Sequence, residues 1–507
     1  PPVSSPAISV PLASSPMVQR DFPAWLPPML VKELRQGLRT RGFVGALILF
    51  QVVMLFVMLG ALVTTSTGAS VRTSGVSATA GFFWAMVGVQ LLLVGPARAL
   101  GGLQQEVDSR SIDLLMLTRL SAWRIVLGKW ISLLAQALLL LCAMLPYLVV
   151  RYFTDNADIL RDLGICMAMF GLSAVLTAVG LWASGISKAL RILVVVLLVF
   201  GVQAMAGAFG IRFFGMRTGA SVTSGAFRLF DSPLEIFDAG LIAAFFLISA
   251  VRKIAPPAEN HGFATRLLPV LAVLPAPFVA LLGARDAAMQ QLFFGAVFLA
   301  FVALFELSSA RWTMPAHWRE WRRRGPLLRI AGRCALPGWQ SALLYTILAG
   351  GIWALLVLVT LPSGTVASRQ LAERAVSMGL LAMGALVFPL VVRSFIRGAQ
   401  QASLAALHQV AYWSALAMPV IFWAVAGALA ESKWKIVGLR NVMEAVPVSS
   451  FLYAVMRQPQ TELRVFIAGI VAALTIVIAL WQSRTYWREL EAFEARDRGE
   501  PPPLPSS

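Results

Sequence analysis

The residue types that carry chemistry are few in this chain and far apart. His261, His317 and His408 sit away from acids and cysteines, so no pair has the spacing of metal ligands. Cys142, Cys166 and Cys334 are scattered among apolar neighbours and read as small hydrophobic residues. There is no Gly-x4-Gly-Lys-Ser/Thr run to cradle a phosphate, and neither Gly-x-Ser-x-Gly nor His-Glu-x-x-His occurs. Glu306 is the carboxylate best placed inside an apolar stretch, near its end. A buried acid there is a functional candidate; a side chain facing the interface is the plain alternative. Gln51, Gln90, Gln136 and Gln203 also fall in apolar stretches. They could line a polar path or hydrogen-bond between helices.

Those apolar stretches dominate the sequence. Of 507 residues, 58% are apolar and 13% charged, with a mean hydropathy of +0.77. A soluble fold of this length needs a polar shell that such a composition cannot supply. A soluble enzyme, a disordered chain and a disulfide scaffold are excluded, which leaves an all-α polytopic membrane protein. A membrane helix needs roughly 20 apolar residues, and about twelve stretches qualify: 43–64, 80–100, 130–150, 163–183, 190–211, 236–251, 267–283, 290–309, 340–361, 375–396, 409–430 and 465–482. The sixth is short. The seventh holds Pro269, Pro275 and Pro277, which should kink it or make it re-entrant. No alternating pattern suggests a transmembrane barrel.

The net charge of +18 tests this arrangement. With both termini cytoplasmic, the inner segments hold 28 of the 42 Lys and Arg residues, a two-to-one bias that fits the positive-inside rule. The excess thus reads as orientation information, not as a nucleic-acid footprint. The loop 431–464, assigned outside, fits least well because it carries five cations. Residues 1–28 are rich in Pro and Ser, show no signal-peptide pattern and should be disordered. Residues 484–507 form a cytoplasmic tail whose Pro-rich end reads as solvated linker or docking peptide.

Two segments outside the spans have structure in their pattern. In 26–42 (LPPMLVKELRQGLRTRG), Leu30, Leu34 and Leu38 recur every four residues, with Val31 beside them and Lys32, Arg35, Arg39 and Arg41 off the stripe. Pro27 and Pro28 suit a helix start. A short helix of this kind before a span should lie in the cytoplasmic interface, where its cations meet anionic headgroups or an acidic partner; a plain topology anchor is the alternative. The second segment is the loop 101–129. Ile112, Leu115 and Met116 share a helical face there, with Leu114 and Leu117 at its edge and Glu106, Asp108 and Asp113 supplying acid. Ser121 can cap a second helix that runs through Trp123 and Ile125 into the third span. An apolar helix tip needs burial, against a partner or against lipid.

The residues Lys32-Glu33-Leu34-Arg35-Gln36, followed by Glu106, Ser111-Ile112-Asp113-Leu114-Leu115, Thr118, Leu120-Ser121 and Gly128-Lys129, resemble the ABC-2 family of ABC-transporter permeases. The resemblance implies that 29–42, with Lys32, Glu33, Arg35 and Arg39, is the interfacial connecting helix. It also implies that Glu106, Asp113, Leu114, Leu117, Thr118, Leu120 and Ser121 form or support a coupling helix that docks on a separate ATPase subunit. ATP and Mg would bind that partner, with no cofactor on this chain. A second permease or further membrane subunits would be additional partners, and the location would be the bacterial inner membrane. Export is the implied direction, and 29–252 the implied six-helix domain. Two positions depart from the family pattern: Arg110-Ser111 replaces Gly-Thr, and Arg119 replaces Pro. They motivate the alternative of a structural or regulatory scaffold on the same fold. A lipid-modifying enzyme is a third class, without a visible catalytic cluster.

The region 253–483 reads as a second domain of about six helices. Its basic inner loop 311–333 reads as a topology determinant in the headgroup layer. Loop lengths suggest a 6+6 repeat. A rival alignment pairs span nine with span one and starts the repeat near Leu327.

Overall fold

The computed structural model describes residues 28–66, 72–73, 76–102, 121–155, 158–184, 232–255, 261–307, 326–336, 338–360 and part of 470–495. The described residues are almost wholly helical, apart from a two-residue antiparallel pair, β1 (Arg72–Thr73) with β2 (Val76–Ser77). Seven helices among them are long and apolar enough to cross a bilayer. The chain is a multi-pass α-helical membrane protein, as the composition requires. It divides into two compact units, Pro1–Asp231 and Ser232–Ser507.

The first unit opens with α1 (Pro28–Arg39), which is too short to span, and then α2 (Arg41–Ser66). Thr40 makes the bend: its hydroxyl donates to the Gly37 carbonyl at 2.8 Å, and its carbonyl accepts from Phe43 at 3.0 Å. The outer side of α2 is apolar and exposed (Ile48, Leu49, Phe56, Val63), as a lipid-facing surface must be, while Met54 and Met58 turn inward. Next come α3 (Ala78–Gly88), a π-helical segment Val89–Val94, α4 (Gly95–Gly102), α5 (Ala122–Asp155) and α6 (Ile159–Ser184). Gln51 works between helices: its amide donates to the Ala143 carbonyl at 2.9 Å, and Tyr147 donates to the Gln51 carbonyl at 3.1 Å. Gln90 and Gln136 are buried, and Gln203 lies outside the described residues.

Pro96 stands where the π-helical segment gives way to α4. A π register bonds each carbonyl to the N–H five residues on. For Leu91 that residue is Pro96, which has no N–H. The Ser173 hydroxyl from α6 fills the vacancy, donating to the Leu91 carbonyl at 2.6 Å. Small residues let α6 come this close. A Cβ on Gly180 would stand 2.7 Å from the Pro96 carbonyl oxygen.

The second unit holds α7 (Pro233–Ile254), α8 (Gly262–Val273), α9 (Pro275–Leu281), α10 (Arg285–Leu307), α11 (Pro326–Ala335) and α12 (Trp339–Thr360). The seventh predicted span, α8 with α9, is interrupted but not re-entrant. Leu274 keeps helical backbone angles between the two pieces, and its N–H bonds the Val270 carbonyl at 3.3 Å. Beside this break the Gln291 amide donates to the Ala272 carbonyl at 2.8 Å and to Asp238 at 2.6 Å, joining α7, α8 and α10. The eighth predicted span is α10, whose apolar part, Ala287–Ala303, is shorter than the other spans. The fifth, tenth and eleventh lie outside the described residues. From 470 onward the described residues of the twelfth are helical.

Helix α11 with α12 follows the plan of α1 with α2: a short amphipathic helix that starts at proline and ends in a basic turn, then a long apolar one.

The Ser173 hydroxyl yields a test. Ser173→Ala leaves the Leu91 carbonyl without a donor in an apolar core, at a cost of about 1 kcal/mol. Its thermal unfolding midpoint in mild detergent should fall, whereas Ser173→Thr, which keeps the hydroxyl, should recover part of the loss if the extra methyl fits.

Candidate functional site

Two polar constellations stand out, one in each unit. The first surrounds the loop that the sequence singles out. Helix α1 lays its apolar face on α5: Leu30 is buried, Leu34 and Leu38 are half-buried, and Lys32, Arg35 and Arg39 are exposed. This is the predicted stripe, but the surface it meets is protein. Gly37 sits where a Cβ would come within 2.2 Å of the Gln136 amide nitrogen on α5. Four residues earlier on α1, Glu33 pairs with Lys129 of α5 at 3.6 Å. The same ammonium donates to the Gly102 carbonyl at the end of α4, at 2.8 Å. One buried cation therefore ties α1, α4 and α5 together. Arg98 of α4 adds a contact, its guanidinium 5.1 Å from the centre of the Phe43 ring at the start of α2.

Gly102 and Ser121 bracket the predicted coupling segment. Ser121 is exposed immediately before α5, and its carbonyl accepts from the Arg124 N–H at 2.9 Å, as a helix start requires. Glu106, Asp113, Leu114, Leu117, Thr118 and Leu120 lie outside the described residues, as do Arg110 and Arg119. Reading the sequence for function passed over Gly37, which belongs to no motif, and marked Gln136 only as a polar group in an apolar stretch. Lys129 was visible only as the end of a motif.

The second constellation centres on Glu306 near the end of α10. Glu306 has no exposed surface, so the interface-facing alternative is overturned. One oxygen accepts from Arg252 of α7 and lies 3.0 Å from the Thr265 hydroxyl of α8. The other accepts from Arg266 of α8, from Nε at 3.1 Å and from Nη2 at 2.9 Å. Arg266 spends its remaining N–H groups on the carbonyls of Cys334 (2.5 Å), Leu336 (2.8 Å) and Gly338 (3.2 Å), which lead from α11 into α12. All five guanidinium N–H groups have acceptors, the condition under which a buried charge is tolerated. Both carboxylate oxygens are occupied by guanidinium groups, so this cluster is a clamp across four helices. Nearby, burial pushes the Cys334 thiol up, which keeps it neutral. All three cysteines are free thiols.

The clamp revises part of the charge reading. With both termini cytoplasmic and twelve spans, Arg266 falls in an inner segment and Arg151 in an outer one. Both are buried: Arg266 in the clamp, Arg151 at 2.7 Å from Asp162 and stacked 5.0 Å from the Phe83 ring centre. Among the described residues no group of three or more His, Cys, Asp or Glu could hold a metal ion. Compared with known protein families, curated proteins and solved structures, the chain matches none.

Both clusters make testable demands. Glu306→Gln strands two guanidinium groups, and removing one partner of a buried pair costs about 3–5 kcal/mol. The variant should unfold at a clearly lower temperature in detergent than Arg252→Gln, because the Arg252 side chain is 30% exposed. Glu33→Lys should release α1 from α5, exposing the Gly37 region to proteolysis. The swap Glu33→Lys with Lys129→Glu should restore part of the protection, less the bond to Gly102.

Proposed function

We propose that this chain is the membrane-spanning permease subunit of an ATP-driven transporter of the ABC-2 type. The observation that carries the reading is the Glu33–Lys129 pair. It joins the two segments on which the resemblance rests, the KELRQ helix and the Gly-Lys that closes the 101–129 loop. The surroundings support it. A short amphipathic helix precedes the first span, and the two helices that flank residues 103–120 are tied at Gly102 and Lys129 by one ammonium.

In this reading the ATPase subunit grips 103–120. Its nucleotide-driven motion is delivered through Gly102 and Ser121 to α4 and α5, with α1 carried along by Lys129. A partner that binds two arrangements of these helices unequally shifts the population between them, which is how ATP hydrolysis on one chain becomes movement in another. The substrate would be exported. This chain supplies no catalytic group and no cofactor site; ATP and Mg belong to the partner.

The test is isolation of the chain from its native host in mild detergent. An ATPase subunit should accompany it, and Leu114→Asp with Leu117→Asp should remove that subunit while leaving the chain folded. Isolation with non-ATPase partners alone, unaffected by these substitutions, would replace the permease with a membrane scaffold.

A further inference from the structure

We propose that the start of α12 is a binding site for a buried water molecule, bridged between the hydroxyls of Ser341 and Tyr345. Ser341 has no exposed surface and Tyr345 is 7% exposed, yet neither hydroxyl has a hydrogen-bond partner in the protein. Further along α12 the polar side chains are bonded: Thr346 donates to the Ala342 carbonyl at 2.7 Å, and Trp353 to the Leu292 carbonyl at 2.8 Å. A hydroxyl stranded in an apolar interior is costly unless something bonds it. Ser341 and Tyr345 are four residues apart on one helix, so they share a face, with Cβ atoms about 5–6 Å apart. An aromatic side chain in a helix leans toward the N-terminus. The neighbours of Tyr345 show that lean: Arg266, Glu306 and Cys334 lie near its hydroxyl end, while Leu299 and Ala349 pack with the ring. The hydroxyl therefore lies over the first turn of α12, beside Ser341. Gln340 also has a buried side-chain oxygen without a partner, but it projects roughly 140° round the helix from Tyr345 and takes no part.

The occupant must be small, because both groups are more than nine-tenths buried. It must be neutral, because Arg266 already has an acceptor on each N–H and holds no donor for an anion. Each hydroxyl both donates and accepts, so one water can donate to one and accept from the other. Buried waters occupy such places, bonded to polar groups that the chain leaves unsatisfied. The site lies about one helical turn from the carbonyls that hold Arg266, so the water extends the polar network of the clamp into the base of α12.

The experiment uses the purified full chain in mild detergent. Tyr345→Phe and Ser341→Ala each remove one hydroxyl and keep the shape of the side chain. With a water bonded to both, each variant should unfold at a lower temperature, by on the order of 2 °C. The double variant should lose less than the sum, because one molecule serves both groups. A hydroxyl with no partner gives the opposite sign, so a midpoint that rises or stays put in either single variant overturns the proposal. Losses that simply add also overturn it, because they give each hydroxyl a separate partner. The second readout is X-ray hydroxyl-radical footprinting with mass spectrometry, in which a bound water yields radicals beside the groups it touches. Tyr345 should be oxidised several times faster than Phe246, a ring of similar burial at 8% exposure, and Ser341→Ala should slow it. Oxidation of Tyr345 at the rate of Phe246, or a rate indifferent to Ser341→Ala, overturns the proposal. No ATP or ATPase subunit is present, so the permease reading stands or falls separately.

Discussion

Inside a bilayer no water is at hand to satisfy a stranded carbonyl or guanidinium, and the described fold is organised by that constraint. Three irregularities among the described helices have a partner brought from another helix. Pro96 removes one donor, and Ser173 of α6 supplies another. Beside the Pro275 break, Gln291 of α10 reaches the Ala272 carbonyl. At the turn from α11 into α12, three carbonyls point at Arg266. These contacts fix which helices are neighbours, because a polar group in hydrocarbon has few alternatives. Apolar packing then fills in around them, as with Phe298, Phe301 and Phe305 around Phe245.

The same constraint explains the charges. A membrane protein of net charge +18 invites the view that its cations are loop charges that set orientation. Some are. Others hold helices together, where a guanidinium can bind several acceptors at once in a rigid fork. Arg266 is buried because its geometry matches a carboxylate and three backbone carbonyls. A lysine with three donors could not replace it.

Lys129 shows a different use of a buried cation. It meets the Glu33 carboxylate of α1 and the Gly102 carbonyl at the end of α4. A junction of this kind ties α1, α4 and α5 at one point. It also leaves the basic side of α1 facing outward, because the acid in that helix is drawn to the docked side.

The hydropathy of the sequence determined the class of protein and the positions of most described spans, because a membrane helix must be apolar along some 20 residues whatever it packs against. The four-residue spacing of Leu30, Leu34 and Leu38 likewise determined that α1 is a helix with one apolar face. Spacing could not say what covers that face, and lipid and α5 are equally apolar candidates. Glu306 was legible as an odd acid in an apolar stretch, yet its partners were not. Arg252, Thr265, Arg266 and the carbonyls of 334–338 are spread over more than 80 positions, and only the packing of α7, α8 and α10 brings them together. Long-range pairing is a tertiary decision. A charge can be read from one position, but its compensation depends on which helix ends arrive beside it.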